Sequence, residues 1–196
     1  MFKNLFKKKN SGSSIDELTE AVNGATLRML NHQLFMHYFD ENTSPEPENP
    51  AWQNQGIFFW SANEPFEKKS LPPEFQHLEE RYFIVNEIPS KYSVSKGDVM
   101  PWFGMPGGGE KYFILSGQSQ IPINELISSG SLSYLELVSL TKDNMAMLHD
   151  REHYYLLLDS ETVRYEPNSD KFFFKNNECS LGEVYKQGGI RIVRMK

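Results

Sequence analysis

The stretch from Val99 to Tyr112, Val-Met-Pro-Trp-Phe-Gly-Met-Pro-Gly-Gly-Gly-Glu-Lys-Tyr, constrains this chain more than any other. Three consecutive glycines, Gly107 to Gly109, admit positive φ and let the backbone approach a neighbour that a Cβ would hold away. Chain entropy opposes such freedom, so glycines flanked by Pro101, Pro106 and the Trp102–Phe103 pair read as a shaped loop. The loop is either a tight connection between strands or a wall that meets a ligand. Known phosphate loops do not fit it. A dinucleotide fingerprint opens a helix, whereas these glycines run into the β-like Tyr112-Phe-Ile-Leu115. Gly104 and Gly109 have the spacing of a P-loop, yet Glu110 occupies the lysine position, where a carboxylate repels phosphate.

The remaining chain supplies the frame. Its 196 residues suit one substantial domain with a small appendage. A formal net charge of −6 argues against nucleic acid as the main partner. Cys179 is the single cysteine, which excludes an internal disulfide framework and permits a reducing compartment. No apolar run is long enough to span a membrane, so stable membrane insertion is not expected. The basic start, Met1 to Lys9, lacks the continuous apolar core of a secretory signal; it reads as a solvated terminus or as a weak tether through Phe2, Leu5 and Phe6. These features place the protein in the cytoplasm, or outside the cell by a non-classical route.

Three stretches follow along the chain. Residues 1–49 comprise the basic tail, an amphipathic helix over roughly 15–40 and a proline-rich linker. The helix rests on Ile15, Leu18, Val22, Ala25, Met29, Met36 and Phe39 at alternating three- and four-residue spacing. Residues 50–140 form the main β-rich domain, with strands at 56–60, 81–88, 112–115 and 133–140 and a short helix at 121–128. Residues 141–196 read as C-terminal β-hairpins divided by Asp, Asn, Ser and Gly turns. The expected class is α+β with a mainly antiparallel sheet.

Phe66-Glu-Lys-Lys-Ser-Leu-Pro-Pro73, the β-run ending in Ile88-Pro89, Met100 to Tyr112, and Leu126-Ile-Ser-Ser-Gly-Ser-Leu132 occur in that order. Together, over roughly residues 53–138, they resemble the tuberculosis necrotizing toxin (TNT) domain, a bacterial NAD⁺ glycohydrolase domain. The resemblance implies a core related to ADP-ribosyltransferase-like folds and hydrolysis of the nicotinamide–ribose bond of NAD⁺ or NADP⁺, with the dinucleotide as substrate or ligand and no separate cofactor. It assigns Trp102, Phe103, Gly104, Gly107, Gly108, Gly109 and Tyr112 to the wall of a substrate cleft. An arginine just before the Leu-Pro-Pro and a glutamine after the glycines matter in the family; this chain carries Lys69 and Lys111 there. A family tyrosine beyond the Leu-Pro-Pro has His77 near its spacing, with Tyr82 a few residues on.

Lysine keeps the charge of arginine but loses its bidentate fork, and lysine for glutamine removes an acceptor beside the reaction centre. Lys69, Lys111, His77 and the neighbouring carboxylate Glu110 are therefore the candidate catalytic groups, with activity weakened or altered; Glu110 serves either as an oxocarbenium-stabilising acid or as a surface residue paired with Lys111. The alternative is a catalytically degenerate module that binds NAD or ADP-ribose, or docks a protein of a bacterial toxin system. An active NAD⁺ hydrolase endangers its own cell, which implies a restraining immunity or toxin-system partner, export, or weak activity. His149-Asp-Arg-Glu-His153 matches a zinc-peptidase spacing but precedes a strand-like run and has no third ligand at suggestive spacing, so no metal site is expected.

Overall fold

The computed structural model describes residues 15–39 and 56–196; the basic tail, the serine–glycine spacer and the proline-rich linker lie outside them. The amphipathic run is helical only over α1 (Ile15–Asn23). Gly24 closes the last turn, its N–H reaching the carbonyls of Glu20 and Ala21 at 3.3 and 3.2 Å. The expected continuation to residue 40 is instead two strands, β1 (Arg28–His32) and β2 (Leu34–Phe39). Leu34, Phe35, Met36 and His37 are all buried, and four consecutive buried residues cannot belong to a one-faced surface helix. A strand covered on both faces accommodates them.

Thirteen strands and four short α-helices follow from the described residues. After β3 (Trp60–Ser61) come the one-turn helix α2 (Phe66–Lys69), a 3₁₀ turn (Pro73–His77), β4 (Glu79–Val85), β5 (Ser93–Asp98), β6 (Glu110–Ser116) and β7 (Ser119–Gln120). Helix α3 (Ile123–Ser128) leads to β8 (Leu132–Val138), a second 3₁₀ segment (Lys142–His149), β9 (Tyr154–Asp159), β10 (Val163–Glu166), β11 (Lys171–Phe174) and β12 (Asn177–Cys179). Helix α4 (Leu181–Lys186), opened by a Ser180–Glu183 capping box, and β13 (Ile190–Met195) complete the chain.

The main sheet has seven strands in the order β1-β9-β13-β8-β4-β2-β3, and strands from all three stretches of the sequence contribute to it. Every pair in it is antiparallel except β1–β9, in keeping with the α+β class. Two three-stranded sheets, β5-β6-β7 and β10-β11-β12, stand beside it. Side-chain alternation sorts the core. Phe35 and Phe83 join Phe59, Ile114 and Leu126 on one face, while Leu34, Ile84, Leu135, Leu157 and Val193 form a cluster on the other. The Phe35, Phe59 and Phe83 rings lie 5.0 to 5.9 Å apart, mostly edge to face, the arrangement the aromatic quadrupole favours. A bridge between Phe59 and Tyr112, bonded in both directions at 3.0 and 2.7 Å, ties the small β5-β6-β7 sheet to the large one.

Among the described residues no helix is long and apolar enough to cross a membrane, and no group of three His, Cys, Asp or Glu side chains is arranged to hold a metal ion. His149 and His153 sit on either side of a turn, His149 beside Thr26 Oγ1 at 3.3 Å and His153 beside Asp150 at 3.0 Å.

Candidate functional site

Alternation along two short segments decides what reaches the site. In Phe58-Phe59-Trp60 the middle ring enters the phenylalanine core, so Phe58 and Trp60 project the other way. On β6 the Tyr112 ring packs against Phe35 and Phe59 at 5.2 and 5.8 Å, which turns Lys111 and Phe113 outward beside Phe58. Between them opens a cavity of about 310 Å³ lined by Phe58, Trp60, Lys69, Lys111, Trp102 and Met100, with Ser70, Leu71, Asp98 and Val99 completing the wall.

The glycine loop sets the geometry of this cavity by gripping its own chain. Gly108 donates to the Val99 carbonyl at 2.8 Å, and Val99 donates to Gly109 at 2.9 Å. Gly107 has φ +66°, and a Cβ there would stand 2.6 Å from the Val99 oxygen. Gly109 donates to the Lys68 carbonyl at 3.2 Å, and a Cβ on it would come within 2.9 Å of that same oxygen. The missing side chains thus let the loop dock on α2, which brings Lys69 to the cavity that Lys111 borders. The close approach expected towards a ligand is made to protein at Gly107 and Gly109; Gly104 and Gly108 are exposed.

Lys69 is only 5 % exposed. Its Nζ donates to Tyr38 Oη at 3.2 Å and to Met36 Sδ at 3.3 Å. Burial pushes its pKa below the ordinary lysine value, while the Glu80 and Glu64 carboxylates pull it back. Tyr38 is pushed up to about 12, by burial first and then by Glu80. Lys111 places its ammonium 5.1 Å from the centre of the Phe58 ring. Trp102, 69 % exposed, stacks on Phe103 at 5.5 Å in a turn held by the Met105 N–H on the Trp102 carbonyl at 2.8 Å. Trp60 Nε1 and Ser70 Oγ, both in the cavity wall, have no hydrogen-bond partner among the described residues.

The structure therefore brings Lys69 of α2 together with Trp102 and Lys111 at the two ends of the glycine loop. Glu110 is held elsewhere. It pairs with Lys96 at 2.6 Å and accepts from Tyr112 Oη at 3.0 Å, on the opposite side of β6 from Lys111. These contacts hold its carboxyl below the usual range. Tyr112 is half-buried with its ring against the phenylalanine core, and His77 lies exposed on its 3₁₀ turn outside the cavity wall. The sequence reading missed Phe58, Trp60, Tyr38 and Asp98. The run of three aromatics at Phe58-Phe59-Trp60 carried the signal for the first two, since strand alternation must put its outer rings on one side.

A larger cleft of about 840 Å³ lies between β4, β8 and α3, lined by Arg81, Tyr82, Tyr134 and Ile127 among others. Of the residues the sequence singles out it takes only Tyr82 and part of the Leu126–Leu132 segment, and Arg81 there is engaged by Glu79 at 3.0 Å. The smaller cavity is the candidate site because the motif residues converge on it.

Residues 52–135 match a family model described as tuberculosis necrotizing toxin. No curated protein matches the chain. Among solved structures the chain resembles one described as the atomic structure of tuberculosis necrotizing toxin (TNT) complexed with its immunity factor IFT, at 18 % identity and a TM-score of 0.39. That likeness covers 51 % of this chain and 46 % of the other, less than half its length.

Proposed function

Since residues 52–135 form a TNT-like domain, we propose that the cavity at Lys69, Lys111 and Trp102 takes the nicotinamide–ribose end of NAD⁺ or NADP⁺ and that the protein hydrolyses this N-glycosidic bond weakly. The observation that carries the reading is the convergence on one aromatic cavity of two separate motif segments, Lys69 from the first and Trp102 and Lys111 from the second. In the reaction the bond from ribose C1′ to the ring nitrogen breaks, its electron pair leaving with nicotinamide. Water then adds to C1′ and gives up a proton. Trp102 offers a flat face for the ring, and Lys69, fixed by Tyr38 and Met36, presents a positioned amine to the polar part of the ligand.

Glu110, the carboxylate the motif offers to steady a developing oxocarbenium ion, is committed to Lys96 and Tyr112, which leaves Asp98 at the edge of β5 as the acid of the cavity wall. That supports slow turnover, and it favours a second reading in which the cavity binds NAD or ADP-ribose without chemistry. Both are tested by incubating the purified protein with NAD⁺ at high enzyme concentration and measuring nicotinamide. The expected result is slow release that Lys69→Ala/Lys111→Ala abolishes. Absence of release with a melting temperature raised by millimolar ADP-ribose would leave the binding module. Absence of both would remove the nucleotide reading altogether.

A further inference from the structure

The turn at the rim of this cavity is built against its own stability. Trp102 to Met105 form a tight turn closed by the Met105 N–H on the Trp102 carbonyl at 2.8 Å. Both central residues have positive φ, +51° at Phe103 and +74° at Gly104. Such a turn calls for Asn, Asp or Gly at its first central position, and a bulky side chain there is strained. Phe103 gains little packing in return. Its ring is 48 % exposed and stacks on the Trp102 indole, while Met100 and Trp102 beside it are more exposed still. A Cβ on Gly104 would meet nothing within 4 Å, so the tip of the turn is open. Strain and exposure together hold a stacked aromatic pair outward. Trp102 lines the cavity, and Phe103, against it, lies outside the cavity wall.

The cavity, at about 310 Å³, stands at the bottom of the roughly 300–1,000 Å³ range that encloses a drug-sized ligand. It therefore takes one end of a dinucleotide, and the other end must lie along the surface beside the mouth. We propose that the Trp102–Phe103 pair is the platform for the adenine ring of the dinucleotide, with Phe103 as the residue on which adenine stacks. This rests on the reading that the cavity takes the nicotinamide end. A purine suits the surface, because stacking needs a flat π face and no hydrogen-bond partner from the protein. The role also explains why a phenylalanine stands where asparagine or glycine would make the easier turn.

Titration calorimetry of the purified full chain tests the proposal with ADP-ribose, which carries adenine, and nicotinamide mononucleotide, which lacks it. The proteins compared are the native chain, Phe103→Asn and Phe103→Tyr. Phe103→Asn is expected to weaken ADP-ribose about tenfold and to leave nicotinamide mononucleotide unchanged. It should also raise the melting temperature of the free protein, because asparagine suits the turn. Phe103→Tyr keeps the stacking face and should hold ADP-ribose as the native chain does. Undiminished ADP-ribose binding in Phe103→Asn would overturn the inference while leaving the nucleotide reading intact. Equal weakening of both ligands, or a lowered melting temperature, would overturn it too, since Phe103 would then act by supporting Trp102 or the loop. If neither ligand bound the native chain at millimolar concentration, the underlying reading would fall, and the inference with it.

Discussion

His37 is the most completely buried titratable side chain next to the main sheet, 2 % exposed at the centre of β2. Its Nδ1 lies 3.1 Å from the Tyr38 carbonyl, which can only accept, so Nδ1 carries the proton. Nε2 then accepts from the Tyr134 hydroxyl at 2.7 Å. Neutral imidazole satisfies both contacts, and burial lowers the pKa to about 4, with Arg81 pushing the same way and Glu79 opposing. The sign follows from linkage. The unfolded chain takes up a proton near pH 6.5 and the folded chain resists until about pH 4, so stability is intact above the first value and falls as pH drops towards the second. The total loss is about 3 kcal/mol, of which about 2 kcal/mol accrues by pH 5, before most carboxylates titrate. Urea midpoints measured from pH 7 to pH 5 should show this decline in the native protein and little of it in His37→Gln. An unchanged slope in the variant would mean that His37 does not hold its proton off in the folded state.

At the scale of elements, the glycine loop and α1 show what the sequence could and could not tell. The motif Pro101 to Lys111 announced a shaped loop, and its two ends, Trp102 and Lys111, do line the cavity. What the residues could not reveal was the object of the close approach, because a glycine reports that space is short without saying what fills it. The loop also yields a sharp comparison. Gly107 and Gly108 both have positive φ, +66° and +81°, but a Cβ on Gly107 meets the Val99 oxygen at 2.6 Å and one on Gly108 meets nothing within 4 Å. Gly108→Ala should therefore cost only the left-handed strain, about 1–2 kcal/mol. Gly107→Ala should cost clearly more, since the Val99 carbonyl is already fixed by the Gly108 N–H and cannot retreat. Equal losses in thermal unfolding would contradict the crowding at Gly107. The helix drawn through residue 40 failed for a different reason. Met29, Met36 and Phe39 keep helical spacing by coincidence, and the decisive signal was the unbroken apolar run Leu34-Phe35-Met36, which a strand buried on both faces also produces.

At the scale of the whole molecule, the strand order carries a consequence for the TNT-like segment. β13 lies between β9 and β8, so the last residues of the chain separate the C-terminal strands from the part that matches the family. Its register fixes Ile192 against Val138 on one side and against Leu156 on the other. One cluster draws Leu34 from β2, Ile84 from β4, Leu135 from β8, Leu157 from β9 and Val193 from β13, so no cut between the three sequence stretches leaves it whole. A fragment limited to residues 50–140 would lose β2, β9 and β13 together. β8 would then become an open edge, and Ile84 and Leu135 would lose their partners from the other stretches. Met36 and Tyr38, which hold the Lys69 amine, would be lost with β2. The fragment is therefore expected to aggregate or to unfold without a cooperative transition, whereas the full chain unfolds cooperatively with its tryptophan fluorescence and far-ultraviolet circular dichroism changing in step. A soluble 50–140 fragment with a cooperative melt and native-like nucleotide binding would show that the family segment folds alone and that the surrounding strands only extend it.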